Sequence, residues 1–274
     1  MITKILTNSN LKKALAKKIF CDSPWVSLDF LLQINAFKRP HYAYCVYHGA
    51  VLAKRLGHSA ISVAEMGVAG GNGLLYLEEI ASRIERALDI RIDVYGFDTG
   101  AGLPHLVDLK DLPHWFQNGQ YQMQATPLQH KLKKAQLILG NVKETLKDFV
   151  EKNRPAPFAA IMNDLDFYSS TIDSFEIFKA HENYLLPRIF LYFDDIIGEP
   201  LEMYGQYTGE LRAIEEFNQA NDHLKIEINR NLIARSEETW AHQIYHFHKF
   251  DHSQYTQYVG NQEQADMARA LQLK

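Results

Sequence analysis

The chain has only two cysteines in 274 residues, Cys21 and Cys45, and no Cys-x-x-Cys pair. That excludes a disulfide framework and a zinc ribbon. Both thiols fall in apolar, helix-patterned stretches, where a buried, inert thiol is the expectation. No apolar run approaches the roughly 18 residues that cross a bilayer, so no membrane partner is expected. An excess of one charge is also missing. Lys and Arg number 29 against 33 Asp and Glu, a formal net charge of −4. The basic footprint of a nucleic-acid binder is therefore absent. Residues Met1 to Phe20 are rich in lysine and free of acids, but they have no continuous apolar segment and no cleavage signal. They read as a surface helix capped by Asn8 or Asn10. A cytoplasmic protein with a small-molecule partner is expected, and a homo-oligomer is left open.

What is present is alternation. Helical patterns cover Leu11–Phe20 and Val26–Ile34, and a longer one runs from Pro40 to Leu56, stopped by Gly57. Strand patterns follow at Ile61–Met66, Ile92–Phe97, Gln136–Leu139, Phe158–Met162 and Arg188–Phe193. Helical patterns at Leu74–Leu88, Lys143–Lys152, Ser170–Asn183 and Gly209–Ala220 separate them. Leu224–Ile228 and His242–Phe250 read as a closing strand pair, and Gln262–Leu273 as a last helix. Apolar strands alternating with helices imply a doubly wound α/β fold, a mostly parallel sheet covered on both faces. The economical division is a helical extension over 1–38 and one domain over 39–274. The stretch from Asp98 to about Thr126 is too long for a mere connector and reads as a lid or substrate wall.

The first strand runs into Glu65-Met66-Gly67-Val68-Ala69-Gly70-Gly71-Asn72-Gly73. A glycine-rich turn from strand to helix lets backbone approach a ligand and aims free N–H groups at it. The next strand ends at Asp98, the position that meets ribose hydroxyls in doubly wound folds. An Asp capping the turn at Thr99 and Gly100 is the plainer alternative. The turn reads Glu-x-Gly and then Gly-Gly-x-Gly, not the Gly-x-Gly-x-x-Gly of dinucleotide binders.

Two further strands end in acids: Asn163-Asp164-Leu165-Asp166 and Phe193-Asp194-Asp195. As neighbours they gather four carboxylates at the ligand-binding edge of the sheet. One unscreened like-charged pair 4 Å apart costs about 4 kcal/mol at an effective dielectric near 20. Raised pKa values, basic partners or a divalent cation can relieve this. No Lys or Arg adjoins either motif, and oxygen donors suit Mg²⁺ or Ca²⁺. Alternatively Asp166 caps the following helix and Asp195 faces water.

Taken together, these segments resemble the macrocin O-methyltransferase-like family of class I methyltransferases. Asp164-Leu165-Asp166-Phe167-Tyr168-Ser169-Ser170-Thr171 looks like the family's Asp-x-Asp-x-Tyr-x-Ser-Thr segment, and Phe193-Asp194-Asp195 like its strand end. Phe97-Asp98-Thr99 with Gly102-Leu103-Pro104, and Leu139 to Leu146, are similar to two more of its motifs. The match spans about Arg39 to Phe217. The resemblance implies a Rossmann-like seven-stranded sheet with an antiparallel final strand. It implies that Glu65, Gly67, Gly71, Asn72, Gly73, Asp98, Thr99 and Asp164 hold S-adenosylmethionine, with Gly140, Asn141 and Val142 against its adenine. Asp164, Asp194 and Asp195 would bind Mg²⁺, and Asp166 would take the proton from a substrate hydroxyl. Two departures stand out: Thr99-Gly100-Ala101 replaces an aromatic, and Leu185-Leu186-Pro187-Arg188 stands where the family has a Pro-Gly-Gly turn.

Other residues invite weaker readings. His242, His246, His248 and His252 share one parity, and on a strand they would line one face, but separately satisfied histidines are the stronger expectation. Tyr42, Tyr44 and Tyr47, with Arg39 and His41, lie on the helix before the glycine turn. Core packing explains them best, although that helix could reach the ligand. Two competing functions remain: a nicotinamide-dependent oxidoreductase, which the glycine spacing disfavours, and a silent adenosyl-binding module, which has no need of four aspartates.

Overall fold

The computed structural model describes residues 26–261 together with 265, 266 and 269. Cys21, the expected first helix and most of the expected last helix lie outside the described residues. The strands are β1 (Ala60–Met66), β2 (Arg91–Asp98), β3 (Gln136–Leu139), β4 (Phe158–Asn163), β5 (Leu185–Phe193), β6 (Leu224–Ile228) and β7 (Ile244–Lys249). The main helices are α1 (Leu28–Gln33), α2 (Pro40–Arg55), α3 (Asn72–Leu88), α4 (Ala125–Lys131), α5 (Val142–Asn153), α6 (Tyr168–Ser174), α7 (Gly209–Ala220) and α8 (Arg230–Ile233).

All seven strands form one sheet in the order β3-β2-β1-β4-β5-β7-β6. Pairing is parallel from β3 to β5, and β7 runs antiparallel to both β5 and β6. The central strands are apolar throughout, and every residue of β4 is buried. Such strands need cover on both sides. Helices α2 and α3 pack together as one layer, and α5, α6 and α7 pack together as the other. In the first layer α3 shows why its sequence folds as it does. Leu74, Leu77, Ile80, Ala81 and Ile84 recur at helical spacing and are all buried. Part of the expected helical extension joins the same core, through Leu31, Ala36 and Phe37.

The register fixes where function can sit. Met66 lies opposite Phe97 of β2 and Asn163 of β4, and Asn163 lies opposite Phe193 of β5. Glu65, Asp98, Asp164 and Asp194 therefore emerge along one edge, on either side of the point where strand order reverses between β1 and β4.

Four details differ from the sequence reading. The helix expected over Ser170–Asn183 is α6 followed by 3₁₀ turns at Phe175–Lys179 and Glu182–Tyr184. The Ser174 hydroxyl donates to the Thr171 carbonyl, diverting the helical ladder. Phe175 and Phe178 then turn inward onto Phe217. Leu185–Arg188 is strand, with Pro187 tolerated where the β4–β5 register shifts. Helix α4, which the sequence pattern does not announce, starts where the expected loop ends and carries Pro127 in its first turn, where no N–H is needed. The last strand begins at Ile244 because Thr239–Gln243 forms a 3₁₀ turn, leaving His242 off the strand and exposed.

Candidate active site

A cleft of about 530 Å³ opens at the carboxyl edge of β1, β2, β4 and β5. Its volume falls in the range of small-molecule sites. Of the residues singled out in sequence, Gly67, Asp98, Thr99, Asn141, Val142, Asp164, Asp166, Asp194 and Asp195 line it. Glu65, Gly71, Asn72, Gly73 and Gly140 do not. Ala69, Leu165 and Ser170, which lie within the quoted motifs, line it as well, and so do Tyr204 and the segment Ile197–Glu199, which carried no signal in sequence.

The glycine turn is shaped by what surrounds it. Gly67 has φ +84, and a Cβ there would overlap the Asp164 carbonyl oxygen. Only glycine lets the ends of β1 and β4 approach this closely. Asp98 organises the same turn. One carboxylate oxygen accepts the Val68 and Ala69 N–H groups at 2.8 and 2.9 Å, and the other accepts Gly100 N–H at 2.6 Å. The turn-capping alternative is thus observed. The side chain also faces the cleft, with one lone pair left for a ligand.

Glu65 is 1% exposed and is not among the residues lining the cleft. Tyr42, buried on α2, donates its hydroxyl to Oε1 at 2.7 Å, while Oε2 has no partner. Burial pushes the Glu65 carboxyl up to about 8, with Tyr42 and Arg39 pulling the other way. The Arg39 guanidinium lies over the Tyr42 ring, 4.9 Å from its centroid, and its charge reaches Glu65, Asp164 and Asp194. It is the basic neighbour that neither acidic motif has in sequence. His41 stacks on Tyr192 at 4.3 Å, and burial lowers it to about 3.

The four aspartates converge. Carboxylate oxygens of Asp164, Asp194 and Asp195 all lie within 4.8 Å of one another, the one such cluster among the described residues. Period-two alternation would have sent Asp194 and Asp195 to opposite faces, but β5 ends at Phe193 and both residues sit in the turn beyond it. Asp195 is held from several sides. It accepts Asp166 N–H at 2.8 Å and the Tyr204 hydroxyl at 3.1 Å, and its own N–H donates to buried Glu210 at 2.9 Å. The Tyr192 hydroxyl donates to Asp194. Asp166 has φ +60, and no capping bond joins it to α6.

Electrostatics follows from crowding. Burial, then repulsion from Asp194 and Asp195, pushes Asp164 well above the usual carboxylate range. Burial and Asp195 raise Asp166 to about 9, and burial and Asp194 raise Asp195 to about 7. Crowding therefore favours the protonated form of these carboxyls, most strongly at Asp164 and Asp166, and a bound cation would relieve it. Three carboxylate oxygens gathered this closely are the kind of all-oxygen donor set that hard cations such as Mg²⁺ or Ca²⁺ take.

The long loop after β2 forms one wall through Gly102, Leu103, Pro104, Phe116 and Tyr121. It has its own small core of Leu103, Leu112, Phe116 and Phe167. Buried Asp111 latches it by accepting the Val107, Asp108 and Ser169 N–H groups and the Ser169 hydroxyl. The histidines do not form a site. His248 meets Tyr255 and Glu227, and His252 caps carbonyls of Glu182 and Leu185.

No family model matches the chain, and no curated protein matches its sequence. Solved structures do match. The calicheamicin methyltransferase CalS11 is 18% identical, over 89% of this chain and 94% of its own, with a TM-score of 0.53. The O-methyltransferase NovP is 17% identical, over 76% and 77%, with a TM-score of 0.46. TomG from Streptomyces achromogenes, solved with its S-adenosylmethionine, is 12% identical, over 90% and 93%, with a TM-score of 0.42. The likeness to CalS11 is one of fold. With the strand order above, it gives this chain the class I methyltransferase fold.

Proposed function

We propose that this protein is an S-adenosylmethionine-dependent methyltransferase of the macrocin O-methyltransferase-like kind, methylating a hydroxyl of a small molecule with the help of a divalent cation. One observation carries the reading. A single cleft is lined by Asp98 at the end of β2, by Gly67 and Ala69 after β1, and by the three convergent carboxylates after β4 and β5. A fold with this site would otherwise support many chemistries.

Asp98 and the backbone of Gly67 to Ala69 would hold the ribose and the adjoining chain, and Asn141 and Val142 would flank the adenine. Asp164, which follows β4 on the other side of β1 from Asp98, would meet the part of the ligand beyond the ribose. Asp164, Asp194 and Asp195 would hold the cation, an all-oxygen set suited to Mg²⁺. When bound, the two groups supply an electrophilic methyl and a Lewis acid that makes a hydroxyl more acidic. Asp166 sits beside the triad and accepts the hydroxyl proton, a role its neighbours' neutralisation permits. Leu103, Pro104 and Phe116 exclude water and fix the acceptor in line, and positioning is the main source of acceleration in such a displacement. The acidic cleft fits no nucleic acid. Among the described residues no helix is long and apolar enough to cross a membrane.

Calorimetry with S-adenosylhomocysteine tests the reading. Binding of that ligand, with none of NAD, supports it. Binding of NAD alone would sink it.

A further inference from the structure

We propose that the acceptor binds the outer half of this cleft as a cation, a small molecule whose amine meets the Glu202 carboxylate between the rings of Tyr121 and Tyr204. The inference rests on the methyltransferase reading above and adds the class of substrate.

The cleft is lined by five aspartates and two glutamates, and by no lysine, arginine or histidine. On that reading a divalent cation accounts for Asp164, Asp194 and Asp195, and backbone N–H groups together with the ribose account for Asp98. Glu202 belongs to neither set. Its carboxylate accepts the Glu199 N–H, and among the described residues no cationic side chain pairs with it. Its charge bears on Asp166, Asp195, Tyr121 and Tyr204, which places it against the reacting end of the cleft.

The chain here is turned inside out. Leu201 and Met203 are 67% and 65% exposed, while Glu202 and Tyr204 between and beside them face inward. Burial of apolar area favours the reverse arrangement. Gly198 leaves room for the inward pose, since a Cβ there would overlap both the Glu202 carboxylate and the Tyr204 ring. Tyr121 and Phe116 complete an aromatic wall on the opposite loop. Ring faces attract ammonium groups, and a carboxylate among rings is a recognised way to select one. A phosphorylated or carboxylated acceptor would meet only like charge on this side.

Three catechols matched in size separate the effect of charge: dopamine (cationic), 4-ethylcatechol (neutral) and 3,4-dihydroxyphenylacetate (anionic). Each is titrated by calorimetry into the full chain saturated with S-adenosylhomocysteine and Mg²⁺. The expected order is dopamine first, at least tenfold tighter than 4-ethylcatechol, with the acid weakest. E202Q should reduce the dopamine advantage to less than threefold. It should leave S-adenosylhomocysteine affinity and the melting temperature unchanged, because Gln can still accept the Glu199 N–H. Several results would overturn the inference while the methyltransferase reading stands. These are equal binding of dopamine and 4-ethylcatechol, a dopamine advantage that survives E202Q, or binding of none of the three. Failure of S-adenosylhomocysteine to bind removes the methyltransferase reading, and this inference with it.

Discussion

Glu65→Gln should change the pH dependence of stability more than stability itself. Glu65 is almost wholly buried, with one oxygen on the Tyr42 hydroxyl and the other without a partner. Burial raises its carboxyl from the ordinary 4.5 to about 8. The sign follows from proton binding. Between those two values the folded protein holds a proton that the unfolded chain releases, so stability is lost as pH rises through this window. At about 1.4 kcal/mol per pH unit, the loss from pH 5 to pH 8 is on the order of 3 kcal/mol. Gln cannot ionise and can still accept the Tyr42 hydroxyl. Its amide takes the place of an oxygen that already lacks a partner, so at pH 5 the variant should lie within about 1–2 kcal/mol of the parent. At pH 8 it should be more stable than the parent, by up to about 3 kcal/mol, because the parent then buries a charge. Urea unfolding of both proteins at pH 5, 6, 7 and 8 measures the difference directly, and pH effects from all other groups cancel. Parallel curves for the two proteins would show that Glu65 is not the strained carboxyl the geometry describes.

Other sites give sharper outcomes. Gly67→Ala should destabilise the protein by about 3 kcal/mol or more, combining a positive φ with overlap on the Asp164 carbonyl, and a melting curve measures it. Mg²⁺ should raise the melting temperature of the parent but not of Asp164→Asn, while without the cation Asp164→Asn should be at least as stable as the parent, since one crowded carboxyl is gone. A parent unaffected by millimolar Mg²⁺ or Ca²⁺ would count against the cation site. Asp111→Ala should unlatch the wall loop by freeing four hydrogen bonds. Limited proteolysis should then cut within residues 99–124 at least tenfold faster, and unchanged cleavage would mean that the small apolar core alone holds the loop.

The sheet was legible because its strands are apolar runs bounded by turns, and such a run has few other places to go. All seven strands stand where the pattern expects them, within a few residues at the ends. The irregular parts were not legible, for local reasons. No pattern announces the short helix that carries Pro127, a serine hydroxyl and two inward phenylalanines broke another, and Pro187 disguised the start of β5. The same contrast holds at the site. Asp164, Asp194 and Asp195 could be paired from sequence, since adjacent parallel strands must end together. What Glu65 does could not. Its hydrogen-bond partner Tyr42 comes from a helix, 23 residues earlier in the chain, and no motif announces that pairing.

Glu202 shows the limit most clearly. Read along the chain, Leu201-Glu202-Met203-Tyr204 is an ordinary surface loop with nothing to distinguish it. Its meaning lies in which side faces inward, and that goes with a left-handed Met203, at φ +57, and with the room left by the missing side chain at Gly198. Neither residue is chemically reactive. Apolar burial alone would have turned this loop over, so the exposure of Leu201 and Met203 is what it costs to bring an acid and a tyrosine to the cleft.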